Sequence, residues 1–223
     1  MENRPGSRDP LHKLRLLYWR ARQLAGSKTL SFFVCRRQSD LPSLGQTRIE
    51  FGGMGHEPVV ERLAQWRGDD PGEYRARLAA GHWVIYAAGE DGEVQSWGWV
   101  TAPTDKPQNA PWEYGVWAKV SPGTGYLWDY FTLPAYRGRG LYKALLQRSA
   151  DQCFVRGAER VWIYAEISNT ASRRGIMGAD YGEEIEIQAA RIGPICRFSR
   201  RGFQCTVRVG GVVELDALLP RET

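Results

Sequence analysis

Residues 129–142 read DYFTLPAYRGRGLY, and this stretch joins a predicted strand to a predicted helix. The strand, over residues 125–133, ends before Pro134, because proline has no N–H to give to a sheet ladder. Two glycines and two arginines follow in residues 137–140, and residues 139–156 then repeat apolar side chains at helical spacing. Glycines let the backbone approach a ligand closely, and the first turn of a helix leaves its N–H groups unpaired. These donors, the helix dipole and the two guanidinium groups favour an anion such as a pyrophosphate.

Two familiar phosphate motifs are absent from the chain. There is no Gly-x-x-x-x-Gly-Lys-Ser/Thr sequence, and no Gly-x-Gly-x-x-Gly lies between a predicted strand and a predicted helix. A lone Gly-x-Gly before a helix is also compatible with a tight turn that binds nothing. Only the residues around the glycines can therefore distinguish an anion-binding loop from a tight turn that binds nothing.

Residues 131–146, FTLPAYRGRGLYKALL, closely resemble the acetyl-CoA motif of the GNAT N-acetyltransferase superfamily. That motif reads Gln/Arg-x-x-Gly-x-Gly/Ala, and here it falls on Arg137, Gly140 and Tyr142. Residues 166–172, EISNTAS, resemble the next element of the family, a strand end followed by Asn-x-x-Ala/Ser. The resemblance extends over about residues 73–203 and leaves residues 1–50 unexplained.

The fold implied by the resemblance is a single α/β (α+β) domain with a central, mixed but mostly antiparallel twisted sheet flanked by helices. The residue pattern also predicts a polar loop over residues 103–111, strands over residues 113–120 and 198–209, and a stop at Gly26 for a helix that precedes it. The order of predicted helices and strands indicates a mixed α/β sheet. We divide the chain into a basic N-terminal extension, residues 1–48, and a GNAT-like acyltransferase domain, residues 49–223. The extension contains a predicted helix over residues 11–25 and the first strand.

The resemblance also implies a function and the residues that serve it. The chain is expected to be an acyl-CoA-dependent N-acyltransferase that uses acetyl-CoA as co-substrate and no metal. An amine would attack the thioester directly in a ternary complex. In the family the pantetheine arm fills a gap beside the strand that corresponds to residues 128–133, and the pyrophosphate lies on the loop that follows this strand. The resemblance therefore implies these cofactor-binding residues: Phe131, Thr132, Leu133, Arg137, Gly138, Arg139, Gly140, Leu141, Tyr142, Asn169 and Ser172.

Two positions depart from the family pattern. The last Gly/Ala of the motif is Tyr142, whose side chain must therefore turn away from the phosphates. The tyrosine that acts as general acid in many members, seven residues after Asn169, is Ile176 here. A catalytically inactive CoA-binding or regulatory module is therefore the alternative function.

Asp129 is the candidate base, since a carboxylate among aromatic residues suits that role. The alternative is an aspartate that orients a loop or pairs with an arginine.

Five of the nine tryptophans fall within residues 97–128, at Trp97, Trp99, Trp112, Trp117 and Trp128. They are predicted either to line an acceptor pocket for an apolar, aromatic or sugar-like substrate or to form a sheet core of large side chains. The loop over residues 102–111 is long enough to gate such a pocket.

Composition limits the remaining function classes. Apolar residues make up 43% of the 223 residues, and the apolar runs are too short to span a bilayer. The polar N-terminus lacks a secretory signal, which indicates a cytoplasmic protein. The four cysteines have no ligand-like spacing and are predicted to be core residues rather than zinc ligands.

The charge of +5 is concentrated in residues 1–48, which hold ten basic and three acidic residues. The amphipathic basic helix predicted over residues 11–25 either contacts a membrane surface, a nucleic acid or a partner, or packs on its own domain with its basic face in solvent. The expected acceptor is a small-molecule amine or a lipid- or carbohydrate-linked amine. A second copy of the chain, as a homodimer, is also compatible with the sequence.

Overall fold

The computed structural model describes residues 25–36, 48–52 and 57–219. Within this part of the chain there are five α-helices: α1 (Glu57–Arg67), α2 (Pro71–Ala79), α3 (Leu141–Val155), α4 (Thr170–Met177) and α5 (Leu215–Leu218). The twelve described strands are β1 (Ala25–Cys35), β2 (Arg48–Gly52), β3 (Trp83–Ala88), β4 (Val94–Thr101), β5 (Gln108–Pro111), β6 (Trp117–Val120), β7 (Thr124–Thr132), β8 (Arg160–Glu166), β9 (Gly182–Ile192), β10 (Ile195–Arg200), β11 (Phe203–Arg208) and β12 (Val212–Glu214).

Nine of the twelve described strands form one sheet in the order β11-β10-β9-β1-β8-β7-β4-β3-β2. Neighbouring strands are antiparallel except β7 and β8, which are parallel and are connected through α3. A smaller sheet has the order β12-β6-β5. The predicted fold class is confirmed, because the chain forms a mixed, mostly antiparallel sheet with helices packed on it.

Large apolar side chains fill both faces of the nine-stranded sheet. One buried cluster joins α1, α2 and the small sheet to the main sheet and includes Trp97 and Trp99, each 0% exposed. The other packs α3 and α4 against the opposite face. Trp97 and Trp99 therefore belong to the core, as the second interpretation of the tryptophans predicts.

Three predicted elements differ from the structure. Residues 103–111, predicted as a loop, contain β5, which pairs with β6. The strand predicted over residues 113–120 begins as a 3-10 turn, Glu113–Gly115, because Tyr114 and Gly115 have positive φ angles of 58° and 74°. The strand predicted over residues 198–209 is a hairpin of β10 and β11, since Gly202 takes a φ of 78° and reverses the chain.

The first strand lies inside the sheet rather than at its margin. β1 pairs with β8 on one side and with β9 on the other. Ala25 and Gly26, predicted as the end of a helix and its stop, are the first residues of β1. The rest of that predicted helix, residues 11–24, lies outside the described residues. The domain boundary at residue 48 stays a prediction, although β1 itself belongs to the central sheet.

The buried ring of His82 predicts a loss of stability in acid. Burial, with a smaller effect of Arg77, lowers the pKa of His82 from 6.5 to about 4, partly offset by the backbone of Asn109. Between these two pH values the unfolded chain binds a proton that the folded chain does not. We expect this contribution to the free energy of unfolding to be fully present above pH 6.5 and to fall by about 3 kcal/mol on acidification to pH 4.

Urea unfolding of the wild type and of His82→Gln at pH 7 and at pH 4.5 measures this contribution. The difference between the two pH values should be smaller in the variant, because glutamine does not titrate. Equal pH dependence in both proteins would contradict the prediction.

Candidate active site

The parallel strands β7 and β8 separate along their length. They pair from Thr124 with Arg160 to Leu127 with Ile163, and no further. Beyond that point β7 continues beside β4 and β8 continues beside β1. A wedge therefore opens between residues 128–132 and residues 164–166, where β7 can give backbone hydrogen bonds to an extended ligand as it would to another strand.

A β-bulge lies in β7 at the start of this wedge. Trp99 pairs with Trp128 and Trp97 pairs with Phe131, so Gly98 alone lies opposite two residues of β7. Asp129, one of the two, has a φ of 55°, which few residues other than glycine adopt. The other is Tyr130, whose ring covers Gly98; a Cβ at that glycine would lie 2.4 Å from the ring. The bulge thereby redirects the side chain of Asp129.

The loop after β7 leads directly into the N-terminus of α3. Gly138 and Gly140 both have a φ of 77°, and Gly140 is the N-cap of α3 without a side-chain cap. A Cβ on either glycine would meet no heavy atom within 4 Å, so the space over the loop is open. The Nε of Arg137 donates to the carbonyl oxygen of Thr132 at 3.2 Å, which holds this guanidinium beside the end of β7. The open loop and the unpaired first-turn N–H groups suit an anion.

Tyr142 connects the two sequence motifs. Its hydroxyl lies 2.8 Å from the Oγ of Ser172, and its ring packs edge-on against Tyr130 and over Gly175. Burial raises the pKa of Tyr142 to about 12, so the hydroxyl stays protonated at neutral pH. The ring faces α4 and the core, which leaves its backbone N–H at the start of α3.

Replacing Gly175 by alanine is expected to destabilise the protein, although a glycine-to-alanine change inside a helix usually stabilises it. Alanine normally stabilises a helix interior by about 0.5–1 kcal/mol. Here its Cβ would lie 2.5 Å from Cδ1 of Tyr142, and we expect Gly175→Ala to cost about 1 kcal/mol instead. Chemical denaturation should show the normal stabilising sign again in a Tyr142→Ala background. A Gly175→Ala protein more stable than the wild type would contradict the expected clash.

Asn169 and Ile176 lie at the two ends of α4. The Oδ1 of Asn169 accepts a hydrogen bond from the backbone N–H of Ser172 at 3.1 Å and caps the helix. Ile176 is 0% exposed and packs in the core with α3. The position at which the family resemblance implies a general acid therefore faces the interior of this protein.

The carboxylate of Asp129 is held by two arginines from helices that precede it in the chain. Oδ1 accepts from Nη1 of Arg67 in a short contact, and Oδ2 accepts from Nη1 of Arg77 at 2.6 Å. The side chain of Arg77 is only 11% exposed, and its guanidinium lies over three rings, those of Tyr74, Trp128 and Trp99. Because guanidinium groups occupy both carboxylate oxygens, the geometry favours the pairing with arginine over the role of a base.

A cavity of about 330 Å³ lies beside Asp129, with walls that include Arg67, Asp69, Glu73, Trp112, Trp128 and Tyr164. The hydroxyl of Tyr164 donates to Glu113 at 2.9 Å, and Glu113 also pairs with Lys28 at 2.5 Å. Tyr164 is on β8 and Trp128 on β7, so the cavity lies at the wedge. Sequence reasoning missed the two arginines, Tyr164 and Glu113. The position of Tyr164 on the strand that diverges from β7 was the available signal.

Two of the tryptophans predicted to line a pocket, Trp112 and Trp128, line the cavity beside Asp129. A third, Trp117, lines a neighbouring cavity. Within the described residues, no three His, Cys, Asp or Glu side chains are arranged to hold a metal ion. None of the described helices is long and apolar enough to cross a membrane.

Comparison with known proteins identifies the family. The model of the acetyltransferase (GNAT) family matches residues 52–174, just over half of the chain. No curated protein sequence matches the chain. The fold is similar to that of a GNAT-family protein from Novosphingobium aromaticivorans DSM 12444, with a TM-score of 0.51 and 17% identity over 74% of this chain and 64% of the other.

A Drosophila protein of known structure is also similar, with a TM-score of 0.51 and 14% identity over 82% of this chain. This chain spans 57% of the Drosophila protein's length and less than two thirds of the Novosphingobium protein's. At these identities the structural likeness shows the fold, whereas the family model rests on the sequence itself. The chain belongs to the acetyltransferase (GNAT) family.

Proposed function

We propose that the chain binds acetyl-CoA with the pantetheine arm in the wedge beside β7 and the pyrophosphate over the N-terminus of α3. The wedge supports this placement, because Phe131, Thr132 and Leu133 lie where β7 has left β8. The open loop supports the placement of the pyrophosphate, because Arg137 and the backbone N–H groups of residues 138–142 can donate hydrogen bonds to it there. Asn169 and Ser172 lie at the start of α4, and the hydrogen bond between the hydroxyls of Tyr142 and Ser172 brings them to the same site.

We further propose that the reaction is transfer of the acetyl group to an amine by direct attack on the thioester. The observation that carries this proposal is the cavity that lies at the wedge beside Asp129, since an acceptor there is next to the proposed pantetheine site. Asp129 remains the predicted catalytic residue. Its two arginines favour a positioning role, in which it fixes α1 and α2 against the bulge and so shapes the cavity.

Release of free CoA from acetyl-CoA, measured against a panel of small, lipid-linked and carbohydrate-linked amines, tests the activity. Calorimetric titration with CoA tests binding separately. The proposal expects CoA binding and amine-dependent release of CoA. CoA binding without release on any amine would support the inactive binding module instead, and absence of CoA binding would overturn both. A cytoplasmic location, a homodimer and a contact made by residues 11–25 stay predictions.

A further inference from the structure

A second cavity adjoins the one beside Asp129. It has a volume of about 380 Å³ and shares with the first cavity the wall residues Glu73, Arg77, Pro111 and Trp112. We name the first cavity the charged chamber and the second the apolar chamber. Because the two have walls in common, they form adjacent parts of one cleft between α2 and the segment that joins β5 to β6.

The walls of the apolar chamber are mostly uncharged. Ala76 of α2 and Ala80, which caps the C-terminus of this helix, leave room on one side, and Trp112, Val116 and Trp117 cover the other. Trp117 is a large apolar side chain with 40% of its surface exposed, which gives the chamber an accessible indole. His82 also lines it, and because burial lowers the pKa of His82 to about 4 this ring is neutral at physiological pH. Flat apolar walls of this kind suit an aromatic body.

The charges of the charged chamber nearly cancel. Its walls hold three carboxylates, on Asp69, Glu73 and Asp129, against the guanidinium groups of Arg67 and Arg77. The formal sum is one negative charge, and the arginines are already engaged with these carboxylates. One ammonium group would neutralise that excess, whereas a polycation would carry charges that the chamber does not balance.

We propose that the acceptor is a primary monoamine with an aromatic body, bound with the amine in the charged chamber and the body in the apolar chamber. An engineered apolar cavity of about 150 Å³ accepts benzene, so a chamber of about 380 Å³ has room for a body of one or two rings. This inference rests on the proposed function, because it names the class of amine that the acetyl group reaches.

Direct binding tests the inference without requiring turnover. Calorimetric titration of the full chain, with CoA present, compares tryptamine and phenethylamine with ethanolamine and spermidine. We expect the two aromatic monoamines to bind at least tenfold more tightly than the other two. The tryptophan fluorescence should also change on titration with phenethylamine, and Trp117→Phe should reduce that change, with Trp112 on the same wall accounting for the rest. Equal affinity for all four amines, or tighter binding of spermidine, would overturn the proposal.

A matched pair of variants on α2 locates the binding site. Ala76 and Ala79 are both exposed on α2, but only Ala76 is among the residues that line the apolar chamber, and Ala79 lines neither chamber. We expect Ala76→Trp to weaken phenethylamine binding at least tenfold and to leave ethanolamine and CoA binding unchanged, and Ala79→Trp to change none of them. Trp117→Ala, which removes a wall, is the second variant should Ala76→Trp fail to fold, and it too should weaken phenethylamine selectively. Unchanged phenethylamine affinity in the folded variant would refute the assigned chamber.

The two proposals fail separately. If the aromatic amines bind and respond to Ala76→Trp but no amine releases CoA, the chamber is assigned correctly and the proposed activity is wrong. If amines release CoA without preference for an aromatic body, the activity stands and the inference about the acceptor is wrong.

Discussion

Replacing Asp129 by alanine is expected to lower the free energy of unfolding by about 3 kcal/mol, because it leaves the guanidinium of Arg77 buried without this partner. The side chain of Arg77 is only 11% exposed and is enclosed by three aromatic rings, so water cannot replace the lost carboxylate well. We also expect acetyl transfer to fall about 100-fold, since the bulge and both helices lose the group that fixes them beside the cavity. Denaturation with urea and the rate of CoA release measure the two effects.

Glu73→Gln is the matched control, because Glu73 pairs with the same arginine at 2.7 Å but its side chain is 58% exposed. An exposed pair contributes about 0.5 kcal/mol, so this variant should remain close to wild-type stability. A stability loss in Asp129→Ala no larger than that in Glu73→Gln would show that burial does not matter at this pair.

The pH profile of kcat separates the two roles of Asp129. If Asp129 positions the arginines, Asp129→Asn and Arg77→Met should lose rate together and keep the wild-type profile. If Asp129 is the base, only Asp129→Asn should lose the rise of kcat with pH.

The second large effect is expected at Gly140. Alanine at a φ of 77° costs about 1–2 kcal/mol, and its Cβ would project into the open space proposed for the pyrophosphate. We therefore expect Gly140→Ala to weaken CoA binding at least tenfold in calorimetric titration while the protein remains folded.

Gly157 gives the control, because it lies just beyond the other end of α3 with a φ of 85° and equally open space around it. Gly157→Ala should have a similar cost in stability and no effect on CoA affinity. If both variants bind CoA as the wild type does, the pyrophosphate does not lie over the start of α3.

The sequence was most informative where the chemistry is local. The strand, the proline and the two glycines of residues 129–142 predict the strand–loop–helix unit, and the structure has β7, the loop and α3 there. The motif over residues 166–172 predicts a strand end followed by Asn169, and in the structure Asn169 follows β8 and caps α4. These features depend on φ angles, caps and periodicity, which neighbouring residues determine.

Features that depend on distant residues were not predictable from one sequence. Arg67 and Arg77 reach Asp129 across 62 and 52 residues, and no local pattern distinguishes them from other helix-surface arginines. The small sheet also depends on residues far apart in the sequence, because β12 lies beside β6 through a parallel pairing of Val212 with Trp117. The hairpin at Gly202, by contrast, had a local signal, because a glycine inside a predicted strand often marks a turn or a bulge.

The interior position of β1 has a consequence for how the protein is made. Leu30 pairs with Glu166, 136 residues later, and β1 then needs β9 on its other side. At synthesis rates of about 5–20 residues per second, β1 waits about 8–30 s for both neighbours to be translated. During that interval a strand containing Leu30, Phe32 and Phe33, all fully buried in the finished protein, has no place in a sheet. Completion of the sheet is thus a late, long-range step, and the nascent chain is most prone to aggregation before β9 has been made.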